Sequence, residues 1–225
     1  MGGVRTDQEK LTLISRLMQA GMFAIVVAGF VTGNYTWIPA AAISLFITEI
    51  PAILKRNLNM VLPVELNFFI VLALFLHVIG GFSGFYDNIS WWDHLTHAMS
   101  ASLVAALGFV LVVSIDWYVD SIYLPKLFVA FFVIMFTMAF GVLWELMEWL
   151  TDELTGSFLQ YSLEDSMLDM LFDGFAGFVV AGATMHYVGK RSASDRFVES
   201  LQMGEAMDKI DGIMEKRKER KDGPS

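Results

Sequence analysis

Six apolar segments of membrane-spanning length constrain this chain more than any other feature of its sequence. They lie near residues 13–31, 37–54, 64–82, 94–115, 124–150 and 166–188. A hydrocarbon core of about 30 Å needs about 20 consecutive apolar residues of helix to cross it. Lipid offers backbone groups no hydrogen-bond partners, and the alternating pattern of membrane barrel strands is missing, so we expect helices. The sequence therefore predicts an all-α, polytopic membrane protein built as a six-span transmembrane helical bundle.

Composition and the tail complete the predicted domain organisation. Of the 225 residues 56% are hydrophobic, and the absence of cysteine excludes disulfides and thiolate metal sites. We expect one transmembrane domain over residues 1–188 and a cytoplasmic, charged helical tail over residues 189–225. Four apolar residues of the tail share one side of a predicted helix: Met203, Met207, Ile210 and Met214. Such a helix fits an anionic membrane surface or a partner helix.

All fifteen lysine and arginine residues fall on one side of the predicted membrane. They precede the first span, join the second to the third, join the fourth to the fifth, or follow the sixth. Because cytoplasmic loops carry an excess of Lys and Arg, we expect both termini in the cytoplasm and the protein in the cell (inner) membrane. The loops near residues 32–36, 83–93 and 151–165 would then lie outside.

The outer half of the predicted bundle is strongly acidic. Its ten acids, with no Lys or Arg among them, are Asp87, Asp93, Glu145, Glu148, Asp152, Glu153, Glu164, Asp165, Asp169 and Asp173. The other half holds fifteen basic and fourteen acidic residues, so the net charge of −9 arises in the outer half. A halophile-like surface would spread the acidity over both sides. We expect membrane lipids as partners and no nucleic acid.

Helical spacing groups these acids on shared faces. Three aspartates recur every four residues and project from one side of the sixth span: Asp165, Asp169 and Asp173. Three acids share one side of the fifth span: Glu145, Glu148 and Asp152. On the fourth span, Asp93 and His97 lie one helical turn apart. The short connection between the fifth and sixth spans predicts antiparallel neighbours, which brings two acidic faces together.

Some of these residues have a structural explanation that needs no function. Asp93 and Asp165 stand where helices begin, and a carboxylate there can cap free amides and meet the positive end of the helix dipole. His77, near the outer end of the third span, is more typical of a satisfied buried histidine than of a metal ligand. Glu148 and Asp152 lie at the end of a helix, where the dipole disfavours anions, so we expect no capping role for them.

A bound cation is the simplest common explanation for the acids that remain buried. An uncompensated buried carboxylate takes up a proton, admits water or binds a cation. The predicted metal ligands are Asp93, His97, Asp169 and Asp173. The possible further ligands are His77, His94, Asp152 and Asp165. Oxygen ligands with one or two imidazoles suit a divalent ion such as Mg²⁺, Mn²⁺, Zn²⁺ or Fe, bound singly or as a pair.

Two classes of function fit such a site. We favour a metal-dependent hydrolase or transferase that acts on a lipid or polyisoprenoid head group, with Glu145 or Glu148 as the general base. The alternative is a cation-binding transporter or channel-like protein in which Asp173 is a transit site. A non-catalytic membrane scaffold is a third interpretation. The oligomeric state and the identity of the metal stay open.

Three motifs resemble a known group of membrane proteins. They are WWDHLTHAMSASL, GVLWELMEWLTDELTG and SLEDSMLDMLFDGFAG, which begin at residues 91, 141 and 162. In their order and spacing they are similar to the YjdF-type inner-membrane proteins and, more distantly, to the VanZ-like proteins associated with glycopeptide resistance. The likeness covers about residues 64–188 and implies that the matching positions form the site: Asp93, His97, Glu145, Glu148, Asp152, Asp165, Asp169 and Asp173. It implies no particular reaction.

Overall fold

The computed structural model describes residues 2–33, 35, 37–118, 124–188 and 203–221. Its helices are α1 (Gly2–Thr32), α2 (Ile38–Leu58), α3 (Val64–Phe82), α4 (Phe85–Asn88), α5 (Trp92–Tyr118), α6 (Lys126–Thr155), α7 (Leu163–Val188) and α8 (Met203–Lys221). Within these ranges there is no strand, and six helices are long and apolar enough to cross a membrane: α1, α2, α3, α5, α6 and α7. The predicted all-α, six-span architecture is confirmed.

Proline and glycine set the ends of the spans that carry the acids. Pro125 directly precedes α6, and proline suits a helix start because its missing amide would be unpaired there. At the other end Gly156 adopts a left-handed backbone with φ 71°, and its amide donates to the Asp152 carbonyl at 2.8 Å. Only residues 156–162 join α6 to α7. The short loop makes these two helices antiparallel neighbours, and they pack against each other.

The spans form two groups, each with its own apolar core. Met22 and Val78 belong to the core shared by α1, α2 and α3. Ala105, Val133 and Ala181 belong to the core shared by α5, α6 and α7. Contacts between α3 and α5 join the two groups. Because the second core fills only part of the length of its three helices, the polar residues of those helices collect beyond it, near the end that carries α4 and the α6–α7 loop.

The described part of the tail is one helix, α8, which contacts α2. Of the four apolar residues predicted to share a face, Ile210 is half-buried and Met214 is exposed. The side chains of Met203 and Met207 lie outside the part of the structure that is described, as do residues 189–202. The predicted boundary near residue 188 therefore stays a prediction.

Candidate functional site

Three helices bring five ionisable side chains together near one end of the bundle. Asp93 and His97 come from α5, Glu145 from α6, and Asp169 and Asp173 from α7. Four of the five are buried, with relative exposures of 8% for His97, 7% for Glu145, 2% for Asp169 and 4% for Asp173. The sequence contains no Lys or Arg between residues 57 and 125 or between residues 127 and 189. No lysine or arginine of α5, α6 or α7 is therefore available at this depth to balance the acids, and the basic side chains among them are those of His94 and His97.

Gly141 allows the acidic faces of α6 and α7 to approach. It lies one helical turn before Glu145, on the same face of α6. A side chain at this position would collide with the carboxylate of Asp173. Gly177 on α7 similarly faces Thr137 of α6, where a β-carbon would come within 3.3 Å of the Thr137 β-carbon. Small residues of this kind let membrane helices pack closely.

The Nε2 atom of His97 faces three carboxylate oxygens, none of them within hydrogen-bonding distance. It lies 3.7 Å from Asp93 Oδ1, 4.0 Å from Glu145 Oε1 and 4.0 Å from Asp169 Oδ2. Ligand atoms that share one ion at roughly 2.0–2.2 Å lie about 3–4 Å from one another. Ligand atoms of Asp93, His97 and Asp169 all lie within 4.8 Å of each other. This spacing suits a shared cation better than direct contact between the side chains.

The other ring nitrogen of His97 faces Asp173. The distance from His97 Nδ1 to Asp173 Oδ1 is 3.4 Å. A metal-binding histidine commonly donates its second N–H to a carboxylate, which fixes the tautomer and the orientation of the ring. The structure therefore puts Asp173 behind the imidazole, whereas the sequence predicted it beside Asp93 and Asp169 as a direct ligand.

Glu145 carries a buried oxygen without a hydrogen-bond partner. Gln160 Nε2 donates to Glu145 Oε2 at 3.1 Å and to the Glu145 carbonyl at 3.1 Å. Glu145 Oε1 has no hydrogen-bond partner. Among the described side chains, Trp92 Nε1 is the other buried polar atom that lacks one. Buried polar atoms in proteins are nearly always paired. An unpaired carboxylate oxygen that faces His97 is what a site for a cation provides.

His94 and Asp165 lie on the far side of Asp169. His94 Nδ1 is 3.0 Å from Asp169 Oδ1, and its ring stacks on Phe172 with a centroid distance of 4.9 Å. Ligand atoms of His94, Asp165 and Asp169 also lie within 4.8 Å of one another. One oxygen of Asp169 thus faces His94 while the other faces His97.

Glu148 borders the cluster from α6. Its Oε1 accepts a hydrogen bond from Trp144 Nε1 at 2.9 Å. The carboxylate is close enough to Glu145, Asp93 and His97 to interact with their charges. The structure therefore brings both predicted general bases to the same place as the predicted ligands.

Two predicted further ligands have other partners. Asp152 accepts hydrogen bonds from Ser157 Oγ at 2.7 Å, from the Leu159 amide at 2.8 Å and from the Gln160 amide at 2.9 Å. These bonds cap no helix, but they give Asp152 a structural role that the sequence did not reveal, because the loop folds back over the end of α6. His77 Nδ1 lies 2.8 Å from the Tyr86 hydroxyl, which is the arrangement of a satisfied buried histidine. Neither residue belongs to the groups of potential ligands found among the described residues.

Polar residues outside the spans surround the site, and the sequence analysis missed them. The Tyr86 hydroxyl donates to Thr96 Oγ1 at 3.3 Å, and the Tyr161 hydroxyl donates to Asp87 Oδ1 at 2.8 Å. Burial raises the pKa of Tyr86 above its usual value. Burial, together with the bond to Asp87, also raises the pKa of Tyr161. Both phenols are therefore neutral hydrogen-bond donors at physiological pH. No sequence periodicity marks these residues, because they lie in a one-turn helix and a loop.

Comparisons with known proteins agree with a membrane protein. A family model described as "Predicted membrane protein (DUF2238)" matches residues 14–190, which include every residue of the cluster. A Thermotoga maritima protein, described as an uncharacterized protein, is 28% identical over 126 residues, covering 55% of this chain and 63% of the relative. The chain thus aligns with less than two thirds of that relative. No solved structure matches the chain. The resemblance to YjdF-type proteins is compatible with this family, and the one to VanZ-like proteins stays a prediction.

Proposed function

The chain belongs to the DUF2238 family of predicted membrane proteins, and we propose that it binds a divalent cation between α5, α6 and α7 and uses it to hydrolyse or transfer a lipid or polyisoprenoid head group. One observation carries this proposal. Three carboxylate oxygens surround His97 Nε2 at 3.7–4.0 Å, and one of them, Glu145 Oε1, is buried without a hydrogen-bond partner. Ligand atoms of Asp93, His97 and Asp169 already lie within 4.8 Å of one another, and a small movement of Glu145 would add its oxygen to the same cation.

The contacts suggest a role for each residue around the ion. His97 Nε2, Asp93, Asp169 and Glu145 supply one nitrogen and three carboxylate ligands, a mixture that suits Mn²⁺, Zn²⁺ or Fe and, with added water, Mg²⁺. Asp173 Oδ1, 3.4 Å from His97 Nδ1, is placed to accept the Nδ1 proton and so to orient the ring when an ion binds Nε2. This differs in two respects from the sequence prediction. Glu145 becomes a ligand in place of a general base, and Asp173 becomes an orienting residue in place of a ligand.

Glu148 is the residue best placed to move a proton. A cation at His97 would polarise a phosphoryl or acyl oxygen and make a bound water molecule more acidic. In hydrolysis of a phosphate ester, the water oxygen bonds to phosphorus, the ester P–O bond breaks, and Glu148 accepts the proton of the water. Glu148 then returns that proton to the departing alcohol oxygen. Trp144 holds the carboxylate for this step through the bond to its Oε1.

The packing beneath the cluster argues against the alternative of cation transport. One turn deeper than Gly141, Thr137 is fully buried and its hydroxyl donates to the Val133 carbonyl at 2.8 Å. Beyond it lies the apolar core of α5, α6 and α7, which includes Val133 and Ala105. Residues 98–115, 127–144 and 174–185 of these helices include no ionisable side chain, and the buried hydroxyls of Ser114, Thr137 and Thr184 donate to carbonyls of their own helices. If a gradient drives cation flux into liposomes and Asp173→Asn abolishes that flux, transport would be favoured over hydrolysis.

The distribution of basic residues supports an orientation. By position in the sequence, all fifteen Lys and Arg residues precede or begin the first span, follow the sixth, or lie at the two connections on the side opposite to the α6–α7 loop. We therefore propose that both termini face the cytoplasm of a cell membrane and that the cluster opens toward the external side. The chain has no cysteine, so a single cysteine at Ser157, in the α6–α7 loop, can be labelled in intact cells by a membrane-impermeant maleimide if this orientation is correct.

Metal analysis tests the proposed function directly. Protein stripped with a chelator and then supplied separately with Mn²⁺, Zn²⁺, Fe²⁺ and Mg²⁺ should retain about one ion per chain by elemental mass spectrometry. His97→Gln and Asp169→Asn should lose it, because each removes a ligand. Glu164→Gln is the matched control, since Glu164 is an exposed acid on the same helix as Asp169. Wild-type protein that stays empty at millimolar metal would refute the proposal.

One further variant separates a single ion from a pair. Asp165 belongs to the group with His94 and Asp169 but not to the group around His97. Asp165→Asn should therefore leave the retained ion in place. Two ions per chain in the wild type, falling to one in Asp165→Asn, would instead show a second ion on the His94 side.

A further inference from the structure

A groove on the outside of the bundle leads to the proposed cation site. It lies between α6 and α7, has a volume of ≈ 460 Å³, and includes Glu145 among its lining residues. That volume is within the range of about 300–1,000 Å³ typical of small-molecule sites. Glu145 belongs to both, so the groove ends against the proposed cation site, although Glu145 Oε1 itself is buried behind this wall.

The walls of this groove are apolar and open to the side. Leu146 and Trp149 of α6 and Met167 of α7 line it, and all three are exposed although they lie in spanning helices. If α6 and α7 cross the membrane as their length and composition indicate, these exposed apolar side chains would contact lipid near its external boundary. A molecule that enters between these walls therefore comes from the bilayer.

The side of the groove next to the α6–α7 loop is polar. Besides Glu145, it carries the amide of Gln160 and the buried hydroxyl of Ser166. No lysine or arginine lines it. A phosphate group there would meet no positive side chain, so it could be held only through a cation on Glu145 and its neighbours.

We infer that this groove admits one glycerophospholipid sideways from the bilayer, with an acyl chain between Leu146 and Met167 and the phosphate directed toward the proposed cation. The inference rests on the proposed function for its phosphate end only. The apolar walls favour an acyl chain whether or not a metal is bound. The occupant is therefore a molecule of the membrane itself rather than a soluble substrate.

A second groove provides an internal comparison. It lies between α3 and α5, has a volume of ≈ 430 Å³, and is lined by Phe69, Ala98 and Ser102 among others. It contains no ionisable side chain. Lipid in this groove would be held by apolar contact alone, so its occupancy should not depend on a metal or on the head group.

Photocrosslinking tests the inference. The full chain is placed in nanodiscs of phosphatidylcholine with a small fraction of phosphatidylglycerol that carries a diazirine in one acyl chain. After loading with Mn²⁺ and photolysis, the labelled residues are mapped by mass spectrometry. We expect labelling concentrated on Leu146, Trp149 and Met167. Replacing phosphatidylcholine by unlabelled phosphatidylglycerol at a constant fraction of the probe should lower this labelling, whereas labelling of the groove between α3 and α5 should not change.

Two variants of similar bulk give the matched control. Leu146→Trp fills the groove and should lower its labelling about ten-fold, because an added ring costs at least the 1.4 kcal/mol of a ten-fold change. Leu143→Trp introduces the same ring on the same helix outside the groove and should have no effect. Leu143 is 53% exposed and Leu146 is 52% exposed, so both variants face lipid equally. Thermal unfolding in detergent measured on each variant verifies that the fold is intact.

The outcomes separate this inference from the proposed function. Concentrated labelling that Leu146→Trp abolishes supports the lipid groove, even if the wild type retains no metal and the proposed function fails. Labelling spread evenly over all lipid-facing helices overturns the groove, even if the metal is retained. Crosslinks from groove residues to a second copy of the chain also overturn it. Labelling of the groove that falls on addition of a chelator supports both.

Discussion

Replacing Gly141 with alanine tests the arrangement of the site without touching any of the proposed ligands. A β-carbon at Gly141 would overlap Asp173 Oδ2 and would lie 3.1 Å from Asp173 Cγ and 3.3 Å from Asp173 Cβ. The flexible end of the Asp173 side chain must therefore move. Because Asp173 Oδ1 lies 3.4 Å from His97 Nδ1, any such movement withdraws the group that orients the imidazole.

The expected size of the effect follows from that role. Loss of a residue that orients a metal ligand typically lowers metal affinity about 10–100-fold, or roughly 1.4–2.8 kcal/mol. Alanine is also the better helix former, by about 1 kcal/mol relative to glycine. We therefore expect Gly141→Ala to bind Mn²⁺ about 10–100-fold more weakly while the protein without metal loses little thermal stability. Competition with a fluorescent chelator measures the affinity, and thermal unfolding in detergent measures the stability.

Gly182→Ala is the control for the change from glycine to alanine. Gly182 lies in α7, and a β-carbon there would meet nothing within 4 Å. This variant should bind Mn²⁺ as the wild type does. A loss of affinity in both variants would point to a general effect on the helices rather than to Asp173.

A double-mutant cycle then shows whether Gly141 acts through Asp173. Asp173→Ala removes the carboxylate with which the new methyl group collides. If Gly141→Ala acts by displacing that carboxylate, the double variant should bind Mn²⁺ no more weakly than Asp173→Ala alone. Additive losses, or a Gly141→Ala protein with wild-type affinity, would refute the reasoning.

Two further predictions concern the loop that closes the site. Asp152→Ala removes the acceptor for Ser157 Oγ and for the amides of Leu159 and Gln160. It should destabilise the protein by about 1–3 kcal/mol, seen as a lower unfolding temperature in detergent, while the isosteric Asp152→Asn should lose less; an unchanged unfolding temperature in Asp152→Ala would contradict this. Gly156→Ala forces a β-carbon onto a residue with φ 71° and should cost roughly 1–2 kcal/mol in the same measurement, although nothing lies within 4 Å of that β-carbon. A neutral or stabilising effect would show that the loop can rearrange.

Helical periodicity was sufficient to predict which residues meet. Asp93 with His97, and Asp169 with Asp173, are each four residues apart, and the helix repeat fixes them on one face whatever the tertiary structure. The short α6–α7 loop then fixes the neighbouring helix. These are local constraints, so the sequence alone carries them. The clustering of acids from three spans needed no knowledge of side-chain conformation.

The roles of individual atoms could not be predicted in this way. Which nitrogen of His97 faces Asp173 depends on the rotation of α5 against α7 and on a side-chain torsion. The role of Asp152 depends on residues 157–160 folding back over the end of α6, a contact that no helical pattern encodes. The Trp92 side chain is buried against Gly80 of α3, which has no side chain to occupy the same space. Only the packing of the two helices reveals this contact.

The absence of basic residues around the cluster links the cation to the lipid. The spans α5, α6 and α7 contribute acids and no lysine or arginine at this end. Without a cation, the buried carboxylates must take up protons, admit water or pair with the neighbouring histidines, and a phosphate in the groove would find only neutral donors such as Gln160. With a cation bound, an oxygen of the same phosphate could coordinate that cation directly. If both bind at once, each must raise the affinity of the other by the same factor, because the coupling free energy is reciprocal. Phosphatidylglycerol should therefore strengthen Mn²⁺ binding in wild-type protein but not in Leu146→Trp, where the lipid is excluded while the ligands around His97 are intact.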